Sequence, residues 1–580
     1  MYKETYRFWV ENPYFDALTR KELWSIAANE GEIEDRFYRD LEFGTGGLRG
    51  LIGAGTNRIN RYTVRRATQG LAGYIAGFGM EAMARGVVIA HDSRRLSPEL
   101  AEEAALVLCT VGIKAYLFES LRPTPVLSFA VRELRAVAGV VITASHNPRG
   151  YNGYKVYWED GGQVTPCRAR AITTRIQAVA DITRVVPMER QQAVAKGLLV
   201  SIGEEIDRKY VKLVKGLALR PGVIARMDDS CKVVYSPLHG AGNMMVRRVL
   251  AELGFRKVLV VPEQEAPDGE FPTVRYPNPE APDAFRLALE LAEKEQADVI
   301  MATDPDADRL GVACREEDGS YRLLTGNQIG VLLADYILAR RAEQGDLPAN
   351  GVIVKTIATS NMVRAVARQY GIEVVETLTG FKFIGEKIAE YEATGEKTFF
   401  FGFEESYGYL AGTFVRDKDA VIAAALVAEA VAYYKSRKLT LGRVLETLYE
   451  RHGYFLEDLR SITFEGRVGQ EKIQLIMEQL RDQLEDGWSG LPVIRVDDYL
   501  VGRGRDLVTG EEYGLVLSQS DVLHYHLVDG GFLQVRPSGT ESKIKLYVSV
   551  AGKSREEAET LLLEARDCLV GRLQAILGKF

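Results

Sequence analysis

Cysteine is scarce in this chain, and its spacing excludes two common kinds of site. Five cysteines occur among 580 residues, and no two of them form a CxxC pair. An odd number of cysteines with no two close together in the sequence predicts neither a disulfide framework nor a zinc site made from cysteine pairs. We therefore expect the thiols to be reduced and structural.

Histidine is nearly as scarce, with six residues. His524 and His526 are the one close pair, and their spacing places both side chains on one face of a strand. Because no cysteine or carboxylate pattern accompanies them, a cross-strand or surface role is favoured over a metal site.

The chain also lacks an excess of one charge and a long apolar run. Its 73 basic and 80 acidic residues give a net charge of −7, which predicts no broad attraction to nucleic acid or to anionic membranes. A small anionic substrate remains compatible with a locally basic pocket. Residues 1–7 do not resemble a secretion signal, and the apolar run at 420–428 meets Glu429 well short of a membrane span. We predict a cytoplasmic protein.

Length and hydrophobic pattern predict several α/β domains. A chain of 580 residues with 46% hydrophobic and 26% charged residues is globular but too long for one core. Apolar runs that end in polar loops alternate with helical stretches, which predicts βαβ units and mainly parallel sheets. We predict three α/β domains at residues 1–203, 204–322 and 323–451, followed by an α+β domain at 452–580.

The segment Thr-Ala-Ser-His-Asn-Pro at 143–148 directly follows an apolar run that predicts a buried strand. In open α/β sheets the chemistry lies where strands end. Ser145, beside the imidazole of His146, is therefore a candidate for covalent catalysis. An ordinary turn rich in Ser, Asn and Pro is the alternative.

Three carboxylates alternate in Asp-Pro-Asp-Ala-Asp-Arg at 304–309, again directly after a predicted strand. Asp304, Asp306 and Asp308 offer the hard oxygen ligands that suit Mg²⁺. A calcium EF-hand does not fit, because Arg309 and Arg315 occupy positions where that loop needs Gly and Glu. A solvated acidic turn remains as the alternative.

Two further loops could bind phosphate. Arg-Pro-Ser-Gly-Thr-Glu-Ser at 536–542 joins two predicted strands, and its guanidinium and hydroxyl groups suit an anion. The glycine-rich segment at 43–50 carries Arg49 but lacks the Gly-Lys-Ser/Thr of a P-loop. Flexible turns are the alternative for both.

One acidic segment could bind a sugar. Glu404 and Ser406 end a predicted strand, and they offer the acceptor and donor groups that sugar hydroxyls require. Acidic strand ends also occur without function.

Together these segments resemble the α-D-phosphohexomutase family, which contains the phosphoglucomutases and phosphomannomutases. The ordered set is GTGGLRG at 44–50, TASHNP at 143–148, DPDADR at 304–309, Glu-x-Ser at 404–406 and RPSGT at 536–540. The resemblance spans nearly the whole chain. It implies four domains around a central cleft, three similar α/β domains with mixed or parallel sheets and a C-terminal α+β domain.

The resemblance also implies roles for individual residues. Ser145 would be the phosphoserine and, with Asp304, Asp306 and Asp308, would bind Mg²⁺. Arg49, His146 and Lys155 would assist the transfer or move a proton. The residues implied to bind substrate are Arg309, Thr379, Gly380, Lys382, Glu404, Ser406, Arg536, Ser538, Gly539 and Thr540.

The implied reaction interconverts glucose 1-phosphate and glucose 6-phosphate, with glucose 1,6-bisphosphate as intermediate and activator. Small sugar phosphates would be the partners, with no nucleic acid and no membrane. Phosphomannomutase, phosphopentomutase and glucose 1,6-bisphosphate synthase remain alternatives, as does a silent sugar-phosphate binding protein. Length and residues 271–280 resemble the longer phosphoglucomutase branch. Phe403 stands where many members have Gly, which leaves the pocket shape and sugar preference open.

Overall fold

A computed structural model of the chain describes residues 2–44, 46–227, 230–464, 466–483, 491–538 and 543–578. Within these ranges, no helix combines the length and apolar character needed to cross a membrane.

The first 203 residues contain a mixed six-stranded sheet with helices. The strand order is β1-β5-β4-β2-β3-β6, in which β4, β2, β3 and β6 run parallel while β5 and β1 are antiparallel to their neighbours. The strands are β1 (Gly47–Leu51), β2 (Val87–His91), β3 (Ala115–Phe118), β4 (Ala138–Ile142), β5 (Tyr151–Trp158) and β6 (Leu199–Ile202). The helices are α1 (Tyr2–Glu11), α2 (Ala17–Ser25), α3 (Glu30–Phe37), α4 (Arg61–Ala76), α5 (Met80–Arg85), α6 (Ser97–Thr110), α7 (Thr124–Glu133), α8 (Pro166–Gln177) and α9 (Arg190–Ala195).

Residues 204–326 form a second mixed sheet with order β11-β10-β9-β7-β8. β7 pairs in parallel with β8 and β9, whereas β10 is antiparallel to β9 and β11. The strands are β7 (Lys232–Ser236), β8 (Lys257–Val260), β9 (Val299–Thr303), β10 (Leu310–Arg315) and β11 (Tyr321–Leu324). The helices are α10 (Glu204–Lys215), α11 (Pro221–Met227), α12 (Gly242–Leu253), α13 (Pro262–Glu265) and α14 (Arg286–Glu295).

Between residues 326 and 452, strands again alternate with helices. The strands are β12 (Gly351–Thr356), β13 (Glu373–Thr377), β14 (Thr398–Glu404) and β15 (Gly408–Ala411), and β12 pairs in parallel with β13. The helices are α15 (Gly326–Gln344), α16 (Met362–Gln369), α17 (Phe381–Thr394), α18 (Ala420–Lys435) and α19 (Leu441–His452).

Helix α18 continues past Glu429, which interrupts the apolar run in the sequence but not the helix. The carboxylate is buried and accepts hydrogen bonds from the backbone N–H groups of Leu219, at 3.1 Å, and Arg220. An acidic residue is tolerated in this apolar environment because its oxygens have donors.

The C-terminal region is an α+β domain with an antiparallel sheet of order β16-β22-β21-β20-β17-β18-β19. The strands are β16 (Tyr454–Thr463), β17 (Val493–Asp498), β18 (Arg503–Asp506), β19 (Glu512–Gly514), β20 (Leu523–Leu527), β21 (Phe532–Pro537) and β22 (Lys543–Gly552), and the helices are α20 (Gly466–Asp482) and α21 (Arg555–Leu577). His524 is buried on β20, with Nδ1 3.1 Å from the Gln534 Oε1 on the paired strand. His526 Nε2 lies 2.9 Å from Asp497 Oδ2 on the other neighbouring strand. Both histidines therefore make cross-strand contacts.

The predicted fold class, three α/β regions followed by an α+β region, is confirmed. The described chain forms two compact units: unit 1 contains Met1–Gly326, Phe381–Gly402 and Ser406–Thr440, and unit 2 contains Asn327–Gly380, Phe403–Glu405 and Leu441–Phe580. The predicted domain boundaries stay predictions.

Candidate active site

Ser145 lies in unit 1, in the loop that follows the fully buried strand β4. Its backbone is left-handed, with φ of 52°, and the residue is only 3% exposed. The Ser145 N–H donates to Thr143 Oγ1 at 2.8 Å. A non-glycine residue in this backbone region persists only where its surroundings hold it, and such residues cluster at functional sites.

The Ser145 hydroxyl contacts an acid and a base. Its Oγ donates to Asp304 Oδ2 at 2.6 Å and lies 3.2 Å from His146 Nδ1. The sequence separation from Asp304 is 159 residues. The fold thus joins two strand ends, those of β4 and β9, which the sequence predicted separately.

Asp304, Asp306 and Asp308 are all buried in the loop between β9 and β10, and one oxygen from each lies within 4.8 Å of the others. Asp304 Oδ1 accepts the N–H groups of Asp308 and Arg309, each at 3.1 Å. Asp306 Oδ2 accepts the Thr124 hydroxyl at 2.8 Å. These hydrogen bonds hold the loop in a conformation in which the three carboxylates converge.

Two lysines compensate part of this negative charge. Lys155 on β5 places Nζ 2.8 Å from Asp306 Oδ2 and 3.4 Å from Asp308 Oδ2. Lys418 Nζ lies 3.1 Å from the same Asp308 oxygen. Sequence reasoning selected Lys155 but missed Lys418.

The three carboxyl groups titrate in different directions. Burial raises the pKa of Asp304 well above its usual value, and the charges of Asp306 and Asp308 add to this effect. Burial also opposes ionisation of Asp308, but Lys418, Lys155 and Arg309 outweigh it and hold its pKa well below the usual value. The pKa of Asp306 is lowered despite burial, because Lys155 both attracts it and donates a hydrogen bond.

The acidic cluster fits a divalent cation. Oδ1 of Asp306 and Oδ1 of Asp308 are buried without a hydrogen-bond partner, and such atoms carry a desolvation cost unless a cation or water satisfies them. Three carboxylates that converge are the hard donor set of Mg²⁺. Asp304, Asp306 and Asp308 can therefore bind a metal.

Lys418 is held by its neighbours in the sequence Arg-Asp-Lys-Asp at 416–419. Asp417 accepts the Tyr157 hydroxyl at 2.6 Å. Asp419 caps helix α18 through the N–H groups of Val421 and Ile422, and it accepts the Tyr210 hydroxyl at 2.7 Å. A lysine flanked by acids just before an apolar helix was the sequence signal, although it does not by itself indicate where the lysine points.

The two predicted arginines of unit 1 contact polar partners. Arg49 on β1 donates from Nη1 to Asn147 Oδ1 at 3.2 Å, which brings it to the Ser145 loop. Arg309 pairs with Glu280 through Nη1, and its Nε lies 3.8 Å from Asp308 Oδ1.

Lys382 and Ser406 also belong to unit 1. Lys382 lies in the first turn of α17, and burial lowers its pKa to about 8. Ser406 is partly exposed in the turn between β14 and β15.

Glu404, Thr379 and Gly380 belong to unit 2. Glu404 is buried at the end of β14, and the Thr379 hydroxyl oxygen is buried without a hydrogen-bond partner. Gly380 has a φ of 122°, a conformation that favours glycine. The neighbouring Glu405 accepts the Thr356 hydroxyl at 3.2 Å.

Phe403, which stands where many family members have Gly, is part of the core of unit 2. It is fully buried, and a methyl group placed on Gly330 would lie 2.0 Å from its ring. Successive strand residues face opposite sides of the sheet. Phe403 therefore packs on helix α15, while Glu404 faces the other way.

The predicted phosphate loop also lies in unit 2. Arg536 donates from Nε and Nη2 to the Tyr547 hydroxyl at 3.2 and 3.0 Å. Burial lowers the pKa of Arg536, but the phenol and the nearby Glu405 and Glu404 raise it overall, so the guanidinium stays charged. Ser538 donates its N–H to the Lys543 carbonyl at 2.7 Å. The predicted Gly539 and Thr540 lie outside the described residues.

Three models of one protein family match this chain in order. They describe α/β/α domains I, II and III of phosphoglucomutase/phosphomannomutase and match residues 40–182, 208–319 and 325–452. The chain belongs to the phosphoglucomutase/phosphomannomutase family. The predicted family and the predicted class of enzyme, an isomerase that moves a phosphoryl group, are confirmed.

Curated relatives match this chain over almost their full lengths. A phosphoglucomutase of Staphylococcus saprophyticus is 37% identical over 550 residues, which cover 93% of this chain and 97% of the relative. A phosphoglucomutase of Staphylococcus epidermidis is 38% identical over 546 residues, with the same coverage.

Solved structures share the fold of this chain. A putative phosphomannomutase from Thermus thermophilus has a TM-score of 0.66 at 23% identity and covers 92% of this chain and 99% of its own. The parafusin phosphoglucomutase of Paramecium has a TM-score of 0.67 at 18% identity, with coverage of 92% and 95%.

Proposed function

We propose that this chain is a phosphoglucomutase that interconverts glucose 1-phosphate and glucose 6-phosphate. The observation that carries the reaction type is the Ser145 hydroxyl, 2.6 Å from Asp304 in a cluster of three buried carboxylates. The relatives at 37% and 38% identity, which are named phosphoglucomutases, support glucose as the sugar.

The reaction consists of two phosphoryl transfers. In the first, the bond between phosphorus and Ser145 Oγ breaks as phosphorus bonds to a sugar hydroxyl oxygen, and that hydroxyl gives its proton to a basic group. In the second, the phosphoryl group from the other end of the sugar returns to Ser145 Oγ, and the sugar oxygen takes up a proton. Glucose 1,6-bisphosphate is the intermediate. It also activates unphosphorylated enzyme, because it can donate one of its phosphoryl groups to Ser145 Oγ as in the second transfer.

Unit 1 supplies the groups for the transfer. Lys155 and Lys418 place positive charge beside the acceptor site, where it stabilises charge on the transferring phosphoryl group. His146, 3.2 Å from Ser145 Oγ, is a candidate to move the proton, and Arg49 binds a phosphate oxygen. Mg²⁺ bound by Asp304, Asp306, Asp308 and Ser145 would supply further positive charge at this group.

Other residues bind the part of the substrate that does not react. Glu404 and Ser406 bind sugar hydroxyls, and Thr379, Gly380 and Lys382 orient the sugar. Arg536, Ser538, Gly539 and Thr540 bind the phosphate that is not reacting, because a charged guanidinium and hydroxyl donors suit it. Arg309 faces the transferring phosphate.

The test compares turnover of glucose 1-phosphate, mannose 1-phosphate and ribose 1-phosphate in the presence of the matching bisphosphate. We expect glucose 1-phosphate to give the highest kcat/KM, and Ser145→Ala to lose at least about 10⁴-fold in kcat. Ser201→Ala, an exposed serine on β6, is the matched control. Mass spectrometry of the peptide containing Ser145 should show one phosphoryl group.

Each alternative gives a different result. Higher kcat/KM with mannose or ribose phosphate would identify a phosphomannomutase or a phosphopentomutase instead. Net accumulation of bisphosphate would identify a bisphosphate synthase, and binding without turnover a silent binding protein. Full activity of Ser145→Ala would refute the phosphoserine mechanism. A cytoplasmic location stays part of the proposal and is tested by fractionation of cells.

A further inference from the structure

Arg94 is a buried arginine that the mechanism above does not use. It lies in the loop after β2, and its side chain is 0% exposed. A buried guanidinium is costly unless its charge is paired and its N–H groups have acceptors. Its partners therefore indicate what it stabilises.

The Arg94 guanidinium binds the backbone of the Ser145 loop. It donates to four carbonyl oxygens of a seven-residue stretch, those of Ser145, Asn147, Pro148 at 3.0 Å and Tyr151 at 3.2 Å. Arginine can do this because its five donors are arranged in a rigid plane. One side chain thus fixes both ends of the loop.

Asp92 links Arg94 to Thr143, at the start of the Ser145 loop. Its carboxylate lies 3.4 Å from Arg94 Nε and accepts the Thr143 hydroxyl at 2.7 Å. Thr143 Oγ1 in turn accepts the Ser145 N–H at 2.8 Å. The Ser97 hydroxyl also donates to Asp92, at 2.7 Å.

The Arg94 guanidinium also packs over the ring of Phe271. The Arg94 Cζ lies 5.0 Å from the centre of the Phe271 ring, and Phe271 is 2% exposed. Phe271 follows β8 and α13 in the region that also supplies the three aspartates, so Arg94 contacts both regions that build the site. A cation held over a ring in this way gains electrostatic attraction and is shielded from water.

We propose that Arg94 is a positioning residue that holds Ser145 in its left-handed backbone conformation, with Oγ directed at Asp304. The inference rests on the proposed phosphoserine mechanism for its effect on activity. The conformation is unfavourable for a non-glycine residue, and the four carbonyl contacts together with the Asp92 and Thr143 chain oppose its relaxation. Small displacements of a nucleophile strongly reduce the rate of transfer.

The first test is Arg94→Lys, which keeps the charge but offers one compact donor group in place of a planar fork. We expect kcat to fall by about 10²-fold while KM for the sugar phosphate changes by less than about threefold, since only the orientation of the nucleophile is lost. Equal kcat in the variant and the native enzyme would overturn the inference. A rise in KM of about 10²-fold without a loss of kcat would also overturn the inference.

The second test does not depend on the reaction. Hydrogen–deuterium exchange of the full chain should show faster exchange in peptides that cover residues 143–151 of Arg94→Lys, while the remaining peptides keep the native rate. Exchange that increases throughout unit 1, or nowhere, would overturn the inference. If the chain proved to lack mutase activity, this measurement would still decide the role of Arg94.

Two further variants separate positioning from general stability. Arg58→Lys removes another buried guanidinium, one that binds Asp35 and the Asn57 carbonyl away from the loop, and it should leave kcat and the exchange of residues 143–151 unchanged. Phe271→Leu should lower kcat by about tenfold with KM unchanged, because the guanidinium loses its ring but keeps its acceptors. If Arg58→Lys lowered kcat as much as Arg94→Lys does, or if Phe271→Leu were fully active, a specific role of Arg94 in positioning Ser145 would be excluded.

Discussion

The Nζ atom of Lys418 lies 3.1 Å from Oδ2 of Asp308, although 110 residues separate them in the sequence. Lys155 contacts the same oxygen at 3.4 Å. Because two lysine cations share one carboxylate, the local charge near Ser145 depends on both. Lys418 thereby joins the groups that the motifs had indicated.

Lys418→Met is expected to lower kcat by about 10²–10³-fold, because it removes a fixed positive charge from the proposed site of phosphoryl transfer. Steady-state assays and the rate of Ser145 phosphorylation by bisphosphate measure this loss. Lys21→Met, an exposed lysine on α2, is the control and should retain native kcat. A Lys418→Met enzyme with native kcat would remove this lysine from the mechanism.

Asp306→Asn is expected to weaken Mg²⁺ binding by at least about tenfold, because the proposed metal ligand loses its charge. Calorimetric titration with Mg²⁺ measures this directly, and chelation of the native enzyme should abolish turnover. The amide still accepts the Thr124 hydroxyl, so circular dichroism should be unchanged. Asp181→Asn, an exposed aspartate, is the control. Native Mg²⁺ affinity in Asp306→Asn would exclude this carboxylate as a ligand.

The positions of the candidate residues at strand ends could be predicted from the sequence, whereas their catalytic and metal-binding roles stay predictions. Ser145 and the three aspartates directly follow β4 and β9, and in α/β sheets the ends of neighbouring strands carry the chemistry. The apolar runs and the polar loops that follow them are local patterns, so they can be read without knowledge of the packing. The α/β class followed from the same alternation.

Residues that depend on packing between distant segments could not be predicted. Lys418 reaches Asp308 because Asp417 and Asp419 bind Tyr157 and Tyr210 from other elements. Arg94 belongs to none of the motifs of the sequence analysis, and its four acceptors lie more than 50 residues later. Spacing within a segment contains no information about such contacts.

Activity should depend on pH through Lys382, since burial lowers its pKa to about 8. If its cation orients the phosphorylated sugar, kcat/KM falls as pH rises through this value and the ammonium group loses its proton. Assays between about pH 6.5 and 9.5 should show this decline, and Lys382→Arg should shift it to higher pH because a guanidinium stays charged. Lys382→Met should lose the decline and have low kcat/KM throughout. Identical profiles for Lys382→Met and the native enzyme would separate Lys382 from substrate binding.

Gly330→Ala should destabilise the protein, although alanine normally favours a helix. The added methyl group would lie 2.0 Å from the buried Phe403 ring, and overpacking of this kind costs about 1–3 kcal/mol. Denaturant unfolding measures the change in free energy. Gly73→Ala is the matched control, since it lies inside helix α4 with nothing within 4 Å, and it should be neutral or stabilising by up to about 1 kcal/mol. Phe403→Leu combined with Gly330→Ala should cost less than the sum of the two single changes, because the smaller side chain leaves room for the methyl group. Additive costs would contradict direct packing of Phe403 on Gly330, and with it the conclusion that Phe403 faces away from Glu404.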